Sequence, residues 1–415
     1  MAVGQTWTVS ESVSASSESA DRPIQVLIGS PAVGESAVGE SVDPEATILL
    51  DLGDDHPSRA GLLELRIWLD PADRQLIDRA EVRVGAMHRG TEKLYEVRDY
   101  RQILMLADRH DWQAPAAAEL AIALAAERLL GVEPPARAQW LRTLLAEHTR
   151  LLSHLSFLTY LWQRDDRPSP VPQLRERLRG QLQAMTGNRV HPMINRLGGL
   201  AADVDDRWLD EELALLPAVA AAAREAATMI RELAPTAARV PRLTRDQVLA
   251  YGVSGPAARG SGVDLDLRRR QPYLVYRELV DELAGPAAPD ELEALPMDGS
   301  PVARLWVLVA ELSSSASMIT AATQRLRELP GPVSVRLGKI VKLPEGEIQL
   351  STEAPLGTAG CYLVSRGEKT PWRLKLRTPS FNNIAALEGL LPGCRVDDLE
   401  LVLASIGYVV GDIDK

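Results

Sequence analysis

Apolar residues first alternate and then recur at helical spacing along this chain. The runs TILLDL from Thr47, LLELRIWL at 62–69 and IDRAEVRV at 77–84 alternate and are bounded by Gly, Pro or Asp. That pattern predicts strands of a small antiparallel sheet. Helical periodicity takes over at PAAAELAIALAAERLL (115–130), which should stop at Gly131, and at the segment from Pro134 to Trp162, which opens on two prolines. LRERLRGQLQAM (174–185) continues it, and long helices are expected at 207–235 and 301–329. The last of these places Leu305, Leu308, Val309, Leu312, Ile319 and Leu326 on one face, the mark of an inner helix.

After Pro330 the texture returns to strands at GEIQLST, GCYLVSRG and WRLKLRTPS, followed by helices at NIAALEGLL and VDDLELVLASIG. The expected fold class is therefore α+β: a central bundle of long helices flanked by small antiparallel sheets. One domain over 46–415 divides into β (46–85), mostly helical (86–330) and α+β (331–415) parts. Residues 1–45, rich in Ser, Val, Glu and Ala with the tandem AVGESAVGES, read as a mobile low-complexity arm carrying one strand at IQVLIG.

Composition narrows the function more than the fold. With 46 basic against 57 acidic residues the net charge is −11, which argues against nucleic acid as a main partner. The two cysteines, Cys361 and Cys394, lack CxxC spacing, so no disulfide framework and no metal held by this chain is expected. Neither a signal peptide nor a transmembrane helix is expected, and a reducing cytoplasm fits.

The candidate chemistry is sparse. Residues 84–112 crowd charges around Tyr95 and Tyr100. They suit a solvated helix laced with pairs among Glu92, Glu96, Arg98 and Asp99, or a face buried against a partner, and spacing does not choose. His148 and His154 lack the i,i+4 spacing of helical metal ligands and read as core or surface histidines. GPAARGSG (255–262) is not a dinucleotide fingerprint and reads as a turn-rich loop.

Several segments occurring in one order carry a family resemblance: GDDHPSRAGLLEL, GAMHRGTEKLYEVRDYRQI, DRHDW, TGNRVHPMINRLGG, RGSGVDLDLRRRQPY, RTPSFNN and the terminal GDIDK. Together they resemble the D subunit of NADH:quinone oxidoreductase, respiratory complex I, over about Leu50 to Lys415. The family is similar in fold to the large subunit of nickel-iron hydrogenases, whose metal is held by an early and a late CxxC pair. Here those positions fall at RHDW and GYVVGDIDK, without a thiolate.

The resemblance implies a peripheral-arm subunit on the cytoplasmic face of the plasma membrane, working with iron-sulfur subunits and membrane-arm subunits. It implies that quinone is the substrate and that the terminal iron-sulfur cluster belongs to a partner. This chain alone would hold no cofactor and be inactive when isolated. By position, Arg109 and His191 match the residues on either side of that cluster. His56, Arg59, Ala60, Asp111 and Trp112 match the quinone cavity.

Two family donors to the quinone oxygens are replaced: a histidine by Ala60 and a tyrosine by Trp112. Alanine offers no hydrogen bond, and an indole N–H does not ionise as a phenol does. Two expectations follow. The chain helps to form a quinone cavity, with His56 and Arg59, or His56 and Trp112, gripping a carbonyl; or it is a non-catalytic assembly scaffold.

Overall fold

The computed structural model describes residues 23–30, 47–282 and 295–415. The proposed arm lies outside them except for its strand, which forms as expected: Ile24–Gly29 is β1 of a four-stranded sheet with β2 (Thr47–Leu50), β3 (Leu62–Leu69) and β4 (Ile77–Arg83), in the order β2-β1-β3-β4. The sheet is mixed where an antiparallel one was expected, because β1 runs parallel to β2 and antiparallel to β3. Along β3 every second residue, Leu63, Leu65, Ile67 and Leu69, is buried, so one face of the sheet lies on the core.

The strip after β4 forms two short helices, α1 (Thr91–Tyr95) and α2 (Tyr100–Ala107). Asp99 separates them, capping α2 reciprocally with Gln102. The bundle follows as α3 (Pro115–Leu130), α4 (Ala136–Arg164), α5 (Val171–Thr186), α6 (Asp206–Leu213) and α7 (Leu216–Glu232). The single helix expected at 207–235 is thus broken. Pro217, at the start of α7, lacks the N–H and crowds the carbonyl four residues back, so α6 cannot run through it.

The segment expected to be a loop at 255–262 is a helical turn, α8 (Gly255–Gly260), started by Pro256 at its first turn. It packs tightly: a Cβ at Gly260 would come within 2.8 Å of the Arg304 backbone, and Gly255, at φ +66, within 2.3 Å of the Leu356 carbonyl oxygen. A further turn, α9 (Leu267–Arg270), precedes the long helix α10 (Pro301–Glu328), which Ser300 caps.

α10 runs along α4 and α7 at the centre of the molecule. Its six predicted apolar positions are all buried, together with Trp306. Composition and length would let α10, or the α6–α7 stretch, cross a membrane, but α10 is here the core helix of the bundle.

A second, antiparallel sheet of β5 (Gly346–Ala354), β6 (Gly357–Ser365) and β7 (Arg373–Arg377) is covered by α3. The chain then forms α11 (Pro379–Ala385), α12 (Leu399–Ile406) and a last turn, α13 (Val410–Ile413). The result is the expected α+β fold, a helical bundle between two small sheets.

Candidate functional site

The last turn joins the two segments that matter most. A Cβ at Gly61, beside Ala60, would come within 2.6 Å of the Val410 side chain, and one at Gly411 within 2.8 Å of the His110 carbonyl oxygen. α13 therefore lies between the turn bearing Ala60 and the turn bearing Trp112. Asp412 accepts from His110 (Nδ1 to Oδ1, 3.0 Å) and from the Ser380 N–H, and Asp414 accepts from the Gly85 and Met87 N–H groups at 2.7 and 2.8 Å. Glu92 of the HRGTEK segment accepts from the Leu376 N–H at 2.8 Å, beside RTPSF. A cleft of about 460 Å³ opens here, lined by His88, Glu92, Lys375, Arg377, Phe381 and Lys415 among others.

His56 is buried and held by Ser58, whose N–H donates to Nδ1 at 3.2 Å. That places the proton of the neutral ring on Nε2, which has no partner among the described residues. Burial, with help from Arg175, pushes the imidazole down to about 3, and the ring packs edge-on against Phe157. Arg59 is committed elsewhere: its guanidinium pairs with Asp51 and Asp54. Both ends of the Arg59 guanidinium are thus engaged by carboxylates. Ala60 is exposed, while Trp112 is half-buried against the main core.

Asp111 is buried and accepts from the Gln113 and Ala114 N–H groups at 3.2 Å, at the entry to α3. Burial and the neighbouring Asp412 push its carboxyl up to about 7. Burial would lower His110, but the hydrogen bond and charge of Asp412, together with Asp111, outweigh it and raise the imidazole. Among the described residues no group of three or more His, Cys, Asp or Glu is arranged to hold a metal.

Arg109 and His191 come together on Asp108, a residue that the sequence motifs did not single out. Arg109, with its side chain 37% exposed, pairs with Asp108, donates to the Met105 carbonyl at 2.7 Å and touches the Met193 sulfur. Nδ1 of His191 lies 3.6 Å from the other Asp108 oxygen, beyond hydrogen-bonding reach. Behind them the buried Glu119 accepts from the Ile194 and Asn195 N–H groups at 3.2 and 2.6 Å, and burial pushes it up to about 8. The resemblance puts Arg109 and His191 on two sides of a cluster; in this chain both lean on one carboxylate.

The 84–112 strip divides by face. Tyr95, Tyr100, Ile103, Leu104 and Ala107 are buried, while Val84, Met87, Leu94 and Val97 are exposed apolar residues. The anticipated pairs with Arg98 do not form. Glu92 and Glu96 instead bind Arg373 of β7.

His148 and His154 are core residues, bonded to Glu212 at 2.7 Å and Glu311 at 2.9 Å. His154 belongs to a larger buried network. Glu147 receives Arg150, Arg268, Ser315 and Tyr276; Glu311 receives Arg150 and Arg259; and Asp266 receives Arg268. The two cysteines lie in separate places, Cys361 in β6 and Cys394 before α12, and burial pushes both thiols up to about 12.

Comparison with known proteins gives one consistent answer. A family described as "Respiratory-chain NADH dehydrogenase, 49 Kd subunit" matches residues 171–341 and 333–415. The D 2 subunit of the NADH-quinone oxidoreductase of Salinispora tropica is 45% identical over 389 residues, covering 92% of this chain and 96% of the relative. The D 1 subunit of the Streptomyces coelicolor enzyme is also 45% identical, over 92% and 98%. The D subunit of the Rhodospirillum centenum enzyme is 32% identical, over 88% and 96%.

Among solved structures, a chain of the membrane-bound sulfane sulfur reductase, an archaeal respiratory membrane complex, superposes with a TM-score of 0.74 at 28% identity, covering 85% of this chain and 94% of that one. With its fold, its converging motifs and these relatives in agreement, the chain belongs to the D-subunit family of the NADH-quinone oxidoreductases, the 49 kDa subunit of the respiratory chain.

Proposed function

We propose that this chain forms its side of a quinone headgroup cavity in the peripheral arm of an NADH:quinone oxidoreductase, at the cytoplasmic face of the plasma membrane. The observation that carries the reading is the last turn, α13, which draws the Ala60 and Trp112 turns to one place while Arg109 and His191 gather on Asp108. The partners are iron-sulfur subunits of the arm and membrane-arm subunits. The isolated chain, holding no cofactor of its own, has no redox activity.

The outward-facing Arg109 guanidinium and the partly exposed His191 ring fit the surface of a partner's cluster. A fixed positive charge and N–H donors near sulfides favour the more negative, reduced state. That cluster, when present, supplies electrons to the quinone.

A second reading has specific support: a scaffold that docks its partners without reducing quinone. Ala60 offers no donor, the Trp112 indole N–H does not give up its proton as a phenol can, and Arg59 is consumed by two carboxylates. Losing a hydrogen bond to a carbonyl oxygen costs about 1 to 3 kcal/mol of binding.

NADH-dependent quinone reduction, in membranes where this chain is the sole D subunit, separates the readings. The comparison is with a double variant carrying Ala60→His and Trp112→Tyr. Turnover by the native chain at a rate near the variant's supports a working cavity. Turnover by the variant alone leaves the scaffold.

A further inference from the structure

The chain has lost two proton donors, yet beside Trp112 it carries a buried acid–base cluster. His110 and Asp111 come from the turn before α3, and Asp412 comes from α13. Gly411 lies against the carbonyls of Arg109 and His110, which fixes the Asp412 side chain on the imidazole, and Val410 on the same turn abuts Gly61 beside Ala60. The cluster thus stands between the two positions where the donors were lost. We propose that His110 and Asp111, held by Asp412, supply the protons for quinone reduction in this chain; the inference rests on the cavity reading above.

Charge supports the assignment. Asp412 and Asp111 face His110 with Lys415 opposing, and Arg377 also faces Asp412. A buried carboxyl so placed, pushed up to about 7, keeps its proton near neutrality, as does an imidazole raised by its partner. Trp112 follows Asp111 directly and is half-buried, so a ring reaching position 112 meets the edge of the cluster.

The step balances. NADH gives two electrons through the partner clusters and leaves as NAD⁺. The N–H of the His110 imidazolium and the O–H of the Asp111 carboxyl break, and each quinone carbonyl oxygen gains one proton. A neutral imidazole and a carboxylate remain until solvent protons return. Asp412 is a positioning residue: it fixes the ring and does not itself give up a proton.

The test uses the assembled complex with this chain as the sole D subunit. His110→Gln keeps a donor to Asp412 but carries no transferable proton, and Asp111→Asn keeps an acceptor for the Gln113 and Ala114 N–H groups while likewise carrying none. Each should lower kcat for quinone reduction about 100-fold, with the quinone KM little changed and NADH-driven ferricyanide reduction intact. Native turnover should fall as pH rises past neutrality, and this alkaline limb should move in both variants. Asp412→Glu should retain turnover that Asp412→Asn loses.

Variants that turn over at the native rate with the native pH profile overturn the inference and leave the cavity reading standing. A native complex that reduces ferricyanide but not quinone overturns both. If His110→Gln fails to assemble, the pH profile of Asp111→Asn decides the matter in the same way.

Discussion

Inside the bundle, Glu147, Glu311 and Asp266 lie against Arg150, Arg259 and Arg268; at the C-terminal junction, Asp108 bonds to one partly exposed arginine, Asp412 to the buried His110, and Asp111 accepts only backbone N–H groups among the described residues. Both sets of carboxylates are buried. In the bundle, burial works against ionisation, but the guanidiniums win and hold Glu147 and Glu311 below the usual carboxylate range. At the junction burial wins, and Asp108 and Asp111 are pushed up. Depth alone does not set the charge of an acid; the number of cations bonded to it does. The bundle network is built to stay fixed, whereas the junction is built to exchange a proton.

The hardest way to break this contrast is to remove a bundle acid. Glu311→Leu takes a carboxylate shared by Arg259, Arg150 and His154 out of the interior, leaving buried positive charge in excess, and should cost about 3 to 5 kcal/mol, read as a lower guanidinium unfolding midpoint. A cost under about 1 kcal/mol would mean that the network is not holding charge.

The pH dependence of stability should then run in opposite directions. Asp111 binds its proton more tightly when folded, so its contribution is complete below the ordinary carboxyl value and is lost as pH rises through about 7. The loss is at most about 4 kcal/mol, and Asp111→Asn should flatten that limb. Glu147 and Glu311 bind theirs less tightly, so their contribution is lost as pH falls. Unfolding series across pH on the native chain and the variant test both signs.

A smaller effect is expected at Asp108→Asn, which keeps the shape but removes the charge under Arg109. A charge-assisted bond of this kind contributes about 1.5 to 3 kcal/mol, lowered here by the exposure of Arg109 and visible as a drop in Tm. Arg207→Ala, which cuts the exposed pair with Glu211 on α6, should change stability by no more than about 0.5 kcal/mol. It sharpens the contrast by showing what the same chemistry is worth in water.

The bundle was legible because α3, α4 and α10 carry strong periodicity and clear stops at Gly131 and Pro330. The break before α7 needed the weight of Pro217 against a long apolar run, and α8 was hidden because its glycines serve close packing, not a loop. The site was legible only in fragments. His110 and Asp412 are 302 residues apart, and no local pattern pairs them. Glu147 and Arg150 on α4 face inward and meet Arg268, which arrives from α9 far along the chain. For Asp108 a signal did exist, an acid directly before Arg109, but one residue of separation does not reveal that His191 arrives at the same carboxylate.

The tie between Asp414 and the Gly85 N–H joins groups 329 residues apart. During synthesis at about 5 to 20 residues per second, the end of the first sheet waits roughly 15 to 65 seconds for that partner to emerge. Contacts so distant in sequence are also the slowest to close by diffusion. The nascent chain therefore spends most of its time on the ribosome with the Gly85 loop unanchored, an interval in which a holding chaperone has something to hold.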